Sequence, residues 1–195
     1  MTSLRILMVD NRDSFTWNLV HDLGRCGAEV EVRQAVDWEV ADADRFDGVV
    51  LSPGPGLPNE SQGLMDLVEA WAPNRSILGV CLGLQALVDW SGGALRRMDQ
   101  VRHGMQATAV QTTSSPVLAA LPDRFDVGHY HSWCADRSAL PSCWSVTSVA
   151  EDDPELVLSL AHDFLPLHAV QFHPESVLTP SGREVLSGWL GTLTP

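Results

Sequence analysis

The residues with the clearest chemical potential lie in Gly79-Val80-Cys81-Leu82-Gly83. A nucleophile bracketed by glycines at this spacing marks a sharp strand-to-helix turn, which bulkier flanking residues could not make. Such a turn lifts the cysteine off the sheet and aims the N-terminus of the next helix at it. Helix-end N–H groups and the macrodipole favour thiolate over thiol. The N–H of Leu82 then becomes a candidate oxyanion donor. A tight turn around a buried, inert cysteine is the competing reading of the same five residues.

His173-Pro174-Glu175 is the second constellation. Pro174 biases His173 toward extended backbone, and in extended chain residues two apart share a face. His173 and Glu175 are therefore expected together, just beyond a strand. A carboxylate beside an imidazole fixes its tautomer and supports the imidazolium. That pair is the base and orienter of a Cys-His-Glu triad. A surface turn is the bland alternative; an elbow cysteine elsewhere in the chain shifts the balance.

Ser52-Pro53-Gly54-Pro55-Gly56 is the third. Its prolines stiffen the loop and its glycines open it. The Gly54 N–H is a candidate second oxyanion donor, provided the strand before it neighbours the one leading to Cys81. The segment lacks the G-x-x-x-x-G-K-S/T pattern of a phosphate loop. Among the remaining histidines, His162 and His168 read as exposed or structural and His103 as shaping a loop at Gly104. His129 and His131 read as pocket-lining candidates on either side of Tyr130. No His/Cys/Asp cluster has zinc-site spacing, so no metal is expected.

These residues need a scaffold, and the first half of the chain supplies an alternating one. Residues 4–9, 28–33, 48–51 and 76–80 read as strands, the first a continuous apolar run typical of a strand covered on both faces. Residues 15–25, 63–72 and 84–90 carry apolar side chains at helical spacing. Alternation of this kind predicts an α/β fold with a parallel sheet and right-handed crossovers. Chemistry in such sheets sits beyond the carboxyl ends of the strands. Asp10, the loop 52–56 and Cys81 each follow a strand and are expected on one edge. The second half is less regular: short strands at 127–130, 145–149, 156–160 and 167–172, then a closing helix at 179–190.

Composition narrows the function. The 195 residues suit a single domain spanning 1–195. The net charge of −13 argues against nucleic acid as a ligand, since phosphate binding needs a basic face. All 12 basic residues are Arg, which excludes Schiff-base and Walker-lysine chemistry. No apolar run approaches the ~20 residues of a membrane span, and residues 1–10 read as a first strand rather than a signal peptide. Cys26, Cys134 and Cys143 read as small buried hydrophobes; with no CxxC pair, a reduced, cytoplasmic protein is expected.

Taken in order, the motifs resemble the class I (triad) glutamine amidotransferases, especially the small subunits of anthranilate and aminodeoxychorismate synthases. The resemblance runs through Asp10-Asn11-x-Asp13-Ser14-Phe15-Thr16-Trp17-Asn18, residues 52–56 and Gly79-Val80-Cys81-Leu82-Gly83-x-Gln85-Ala86. It continues through His103-Gly104, Tyr130-His131-Ser132 and Gln171-Phe172-His173-Pro174-Glu175-Ser176. It implies an open, mostly parallel, flavodoxin-like sheet flanked by helices, with a small antiparallel element in the second half. It implies Cys81 as nucleophile, His173 as base, Glu175 as orienter, and Gly54 and Leu82 as the oxyanion hole. Glutamine would be held by Gly54, Pro55, Gly56, Gln85, Ser132 and Trp133. The half-reaction would need no cofactor. Its partner would be a chorismate-binding synthase that itself uses Mg2+, with residues 10–18 as a candidate interface. A stand-alone γ-glutamyl peptidase and a non-catalytic regulatory subunit are the alternatives. Three positions depart from the pattern: Leu84 replaces the usual His, Met105 a Lys and Trp133 a Leu.

Overall fold

The computed structural model describes residues 3–39 and 44–193; residues 1 and 2 of the expected first strand's lead-in lie outside them. The described residues form one nine-stranded mixed sheet in the order β2-β1-β3-β4-β9-β8-β7-β5-β6. The strands are β1 Arg5–Asp10, β2 Glu29–Gln34, β3 Gly48–Leu51, β4 Ile77–Val80, β5 Leu95–Gln111, β6 Arg124–Ala135, β7 Trp144–Ala150, β8 Val157–His162 and β9 Leu167–Val170. Four helices pack on it among these residues: α1 Thr16–Arg25, α2 Leu64–Trp71, α3 Leu82–Trp90 and α4 Gly182–Leu190. From β2 to β9 all neighbours are parallel; from β9 to β6 all are antiparallel. The sheet is open, and β9 is the seam between its two halves.

Side-chain alternation sorts the core. Along β1, Ile6 and Met8 face one cluster and Leu7 and Val9 the other, all at most 1% exposed. The first face is closed by α1 through Leu19 and Leu23 and by α4 through Val185, Leu186 and Trp189. The second is closed by α2 through Leu64, Leu67 and Val68 and by α3 through Leu84 and Leu87. Burying one such Leu contributes about 1.5–3 kcal/mol. Leu84 thus belongs to the core, so its departure from the usual His places nothing at the site.

The parallel half matches the sequence reading to within two residues at each element. The antiparallel element expected in the second half is present and larger than the reading gave. It includes the 17-residue β5, which the sequence did not announce, and β6 extends well past residues 127–130. Ser132 and Trp133 therefore lie in a strand. The closing helix starts at Gly182 instead of residue 179, because Thr179 and Pro180 belong to a turn whose Thr179 hydroxyl donates to the His173 carbonyl at 2.6 Å.

Candidate active site

Cys81 stands between β4 and α3 with φ 52° and ψ −99°, a backbone region costly for any residue with a Cβ. The surroundings hold it there. Its N–H donates to the Val170 carbonyl at 2.8 Å, and its own carbonyl accepts from the Gln85 N–H at 3.1 Å. The bracketing glycines are required by close approach. A Cβ on Gly79 would meet the Gly83 carbonyl oxygen at 2.5 Å, and one on Gly83 would meet the Leu51 carbonyl oxygen at 2.5 Å. Side chains there would push α3 off β3 and β4. Cys81 itself is 5% exposed.

Pairing of β3 with β4 brings the 52–56 loop to the elbow. Buried Asn11, beyond β1, fixes that loop. Its backbone N–H donates to Ser52 Oγ and its Nδ2 to the Ser52 carbonyl, each at 2.9 Å. Gly54 packs so closely on Leu82 that an added Cβ would lie 2.5 Å from Leu82 Cδ2. Leu82 opens α3, where first-turn N–H groups have no intrahelical acceptor. The two expected oxyanion donors are thus neighbours beside the sulfur.

The candidate base, His173, comes from the next strand over. β9 pairs with β4, and past Val170 the chain crosses toward β6, with the His173 N–H donating to the Gly128 carbonyl at 3.0 Å. His173 Nδ1 donates to Glu175 Oε1 at 2.6 Å. The carboxylate can only accept, so Nδ1 carries the proton and Nε2 is left for Cys81. The extended conformation expected of this tripeptide is not what the structure shows. The Ser176 N–H donates to the His173 carbonyl at 3.2 Å, closing a turn with Pro174 at its second position. The turn, rather than strand alternation, brings imidazole and carboxylate together. The rings of Phe15 and Tyr130 pack edge-on against His173 at 5.3 and 5.0 Å.

Burial opposes charge on His173, but contact with the Cys81 sulfur and with Glu175 outweighs it, so the imidazolium is favoured well above the usual histidine range. His173 Nε2 has no hydrogen bond of good geometry, although it faces the sulfur closely enough to feel its charge. Such contacts tighten when substrate arrives.

A cavity of about 190 Å³ opens over Cys81. Every residue assigned from the sequence to glutamine binding lines it: Gly54, Pro55, Gly56, Gln85, Ser132 and Trp133. This volume is well under the ~300–1,000 Å³ of drug-sized sites and suits a ligand no larger than an amino acid. A larger cavity of about 240 Å³, on the far side of Pro55, has neither a cysteine nor a histidine in its lining. His131 joins the smaller cavity's wall, as its position beside Tyr130 led one to expect. Among the described residues no group of His, Cys, Asp and Glu could hold a metal ion. No helix there is long and apolar enough to cross a membrane.

Two residues to which the sequence reading gave no catalytic or substrate-binding role lie at this site. Asn11 fixes the 52–56 loop, and Gln171, fully buried, donates from Nε2 to Cys81 Sγ at 3.6 Å. The available signal for Gln171 was a polar residue closing an apolar strand. His129 and His131 form a buried pair, Nδ1 to Nε2 at 2.9 Å. Burial, then their mutual repulsion, pushes His129 down to about 3; burial and nearby His173 push His131 down to about 4 despite its bond to the Trp133 carbonyl.

Both shifts are downward, so below pH 6.5 the unfolded chain takes up protons first. Their stabilising contribution is complete above pH 6.5 and is lost as pH falls toward 4. At pH 5 each costs up to roughly 2 kcal/mol. The melting temperature is expected to drop on the order of 10 °C between pH 7.5 and 5. His129→Gln is expected to flatten that dependence in calorimetry; an equally steep profile would contradict the assignment.

Comparison with known proteins agrees with this geometry. Residues 7–191 match the family model described as glutamine amidotransferase class-I. The chain is 42% identical over 192 residues to anthranilate synthase component 2 of Mycobacterium tuberculosis, covering 96% of this chain and 82% of that protein. It is 37% identical over 187 residues to aminodeoxychorismate synthase component 2 of Klebsiella aerogenes, covering 95% and 98%. Among solved structures, a glutamine amidotransferase from Thermotoga maritima superposes with a TM-score of 0.75 at 16% identity, covering 97% of this chain and 96% of that one. A Thermoplasma acidophilum protein superposes at 0.87 with 24% identity, covering 98% and 94%. Both show the fold. The extent of the family match and identities near 40% along almost the whole chain leave one conclusion: this protein belongs to the class I glutamine amidotransferases.

Proposed function

We propose that this chain hydrolyses L-glutamine to glutamate and ammonia and passes the ammonia to a chorismate-binding synthase. The observation that carries the reading is Cys81 in the wall of a cavity of amino-acid size, with His173 beside it and Glu175 holding that imidazole at 2.6 Å. Cys81 Sγ attacks the side-chain amide carbon. The oxyanion that forms accepts hydrogen bonds from the N–H groups of Gly54 and Leu82. His173, protonated by the thiol and held by Glu175, gives its proton to the amide nitrogen, which leaves as ammonia. A γ-glutamyl thioester remains. His173 then takes a proton from water, the hydroxide attacks the thioester, and glutamate departs as the thiolate returns. The cavity residues Gln85, Ser132 and Trp133 hold the amino-acid end. No cofactor enters these steps; Mg2+ belongs to the synthase.

Relatives of similar identity carry the names anthranilate synthase component 2 and aminodeoxychorismate synthase component 2, which supports a chorismate-using partner in the tryptophan or folate branch. Trp17 stands 64% exposed on α1, two residues beyond the Phe15 that packs on His173. A partner covering residues 10–18 would thus touch the catalytic imidazole through one ring.

Mass spectrometry after treatment with a glutamine-analogue electrophile tests the reading. Cys81 alone, of the four cysteines, is expected to gain the adduct. Labelling elsewhere, or none, would overturn it. Glutaminase assays with each kind of synthase then separate an ammonia-donating subunit, which the synthase activates, from a stand-alone γ-glutamyl hydrolase, which it does not.

A further inference from the structure

We infer that Gln171 is a positioning residue for the nucleophile: its side-chain amide holds the Cys81 sulfur in thiolate form and ties it to the substrate-binding Gln85. The inference rests on the function proposed above and adds a residue to which that reading gives no role.

Hydrogen-bond polarity carries the argument. The Trp133 carbonyl can only accept. It receives Gln85 Nε2 at 3.0 Å and His131 Nδ1 at 3.0 Å, so the amide nitrogen of Gln85 must face it. The same nitrogen has a second hydrogen, directed at Gln171 Oε1 across a longer 3.5 Å. Gln171 must therefore turn its oxygen to Gln85 and its NH2 to Cys81 Sγ, 3.6 Å away. The flipped amide would set two NH2 groups against each other and a carbonyl oxygen against a negative sulfur. Backbone bonds fix both ends. The Gln171 N–H donates to the Leu158 carbonyl and the Cys81 N–H to the Val170 carbonyl, each at 2.8 Å. Gln171 is fully buried, so water does not compete for its amide.

A neutral donor binds a charged sulfur more strongly than a thiol or thioester sulfur. It therefore raises the thiolate fraction before attack and favours thiolate departure when the thioester breaks down. Because the Gln85 nitrogen is occupied, that side chain offers its Oε1 to the substrate. Gln171 thus fixes both the attacking atom and one wall of the cavity.

The test is the pH dependence of Cys81 alkylation by iodoacetamide, followed in the full chain, with glutaminase kinetics alongside. His173 is the titratable neighbour of the sulfur and is kept intact. In Gln171→Met, of similar length and with neither donor nor charge, the alkylation midpoint is expected to move up by about one pH unit or more. The expected loss in kcat is about tenfold or more, with KM changing by less than about threefold. Should that variant not fold, Gln171→Leu, also without donor or charge, carries the test. A purely structural role would raise KM and leave the alkylation profile in place, and that result would overturn the inference. Failure of the glutamine analogue to label Cys81 in the unaltered protein would instead remove the parent reading. Labelling together with an unmoved profile would sink this inference alone.

Discussion

Cys81→Ser is expected to cut glutamine hydrolysis by about 10⁴-fold or more, the scale seen when a member of a catalytic triad is lost. The reason lies in the environment described for the sulfur. Position 81 is held at φ 52° by the elbow, so a serine hydroxyl would occupy the same place. What would change is nucleophilicity. A thiol ionises readily beside an imidazolium, whereas an alcohol needs full deprotonation by a base whose proton Glu175 helps retain. The thioester is also lost, and with it the easy second step. The fold is expected to be retained, because the smaller oxygen introduces no clash at this 5% exposed position. The measurement is ammonia release from glutamine, paired with synthesis by the complex on added ammonium. The variant is expected to fail the first and keep the second. Retained glutamine-dependent synthesis would mean that the subunit acts by regulation and not by chemistry.

Gly182→Ala is expected to damage both stability and rate from outside the cavity. Gly182 is the first residue of α4 and lies directly under the turn that carries His173 and Glu175. A Cβ there would fall inside the Pro174 carbonyl oxygen and 2.5 Å from its carbon. Both are backbone atoms, so no rotamer change relieves the overlap. Either α4 retreats from Trp189's burial site or the turn moves by about an ångström. Overpacking of this kind costs about 1–3 kcal/mol, and a misplacement on that scale can cost about 10²-fold in rate. A lowered urea midpoint with kcat reduced about 10²-fold is the expected pair of results. Wild-type rate in Gly182→Ala would show that the turn does not set the geometry of His173.

The parallel half was legible because its strands are buried on both faces. Ile6 through Val9 and Ile77 through Val80 read as uninterrupted apolar runs, while Leu19/Leu23 and Leu64/Leu67/Val68/Trp71 mark helices by their spacing. Strand β5 has no such signal. Arg96, Arg97, Asp99, Gln100 and Arg102 lie along it, and only Met98 and Ala109 are buried. Its register breaks twice against β6, so even the two-residue period is interrupted. Side-chain pattern could not disclose a strand made by backbone pairing on a solvent-facing wing. Of the candidate site, the sequence singled out Cys81, His173 and Glu175 by residue type, and the structure brings these three side chains together. The means of bringing His173 to Glu175 was not, because Pro174 suits an extended chain and the second position of a turn equally well. Roles for Gln171 and Asn11 depend on which strands are neighbours, and no local pattern encodes that.

Strand β9 sits in the middle of the sheet, yet among the described residues it is the last strand in chain order. Residues 77–81 can make their parallel pairing with 167–170 only after the ribosome has released the intervening 85 or so residues, a loop-closure cost that local pairing does not bear. Until then Cys81 has no His173 beside it and lacks the Val170 carbonyl that anchors its elbow. The two halves of the candidate site are thus joined only when β9 takes its place beside β4.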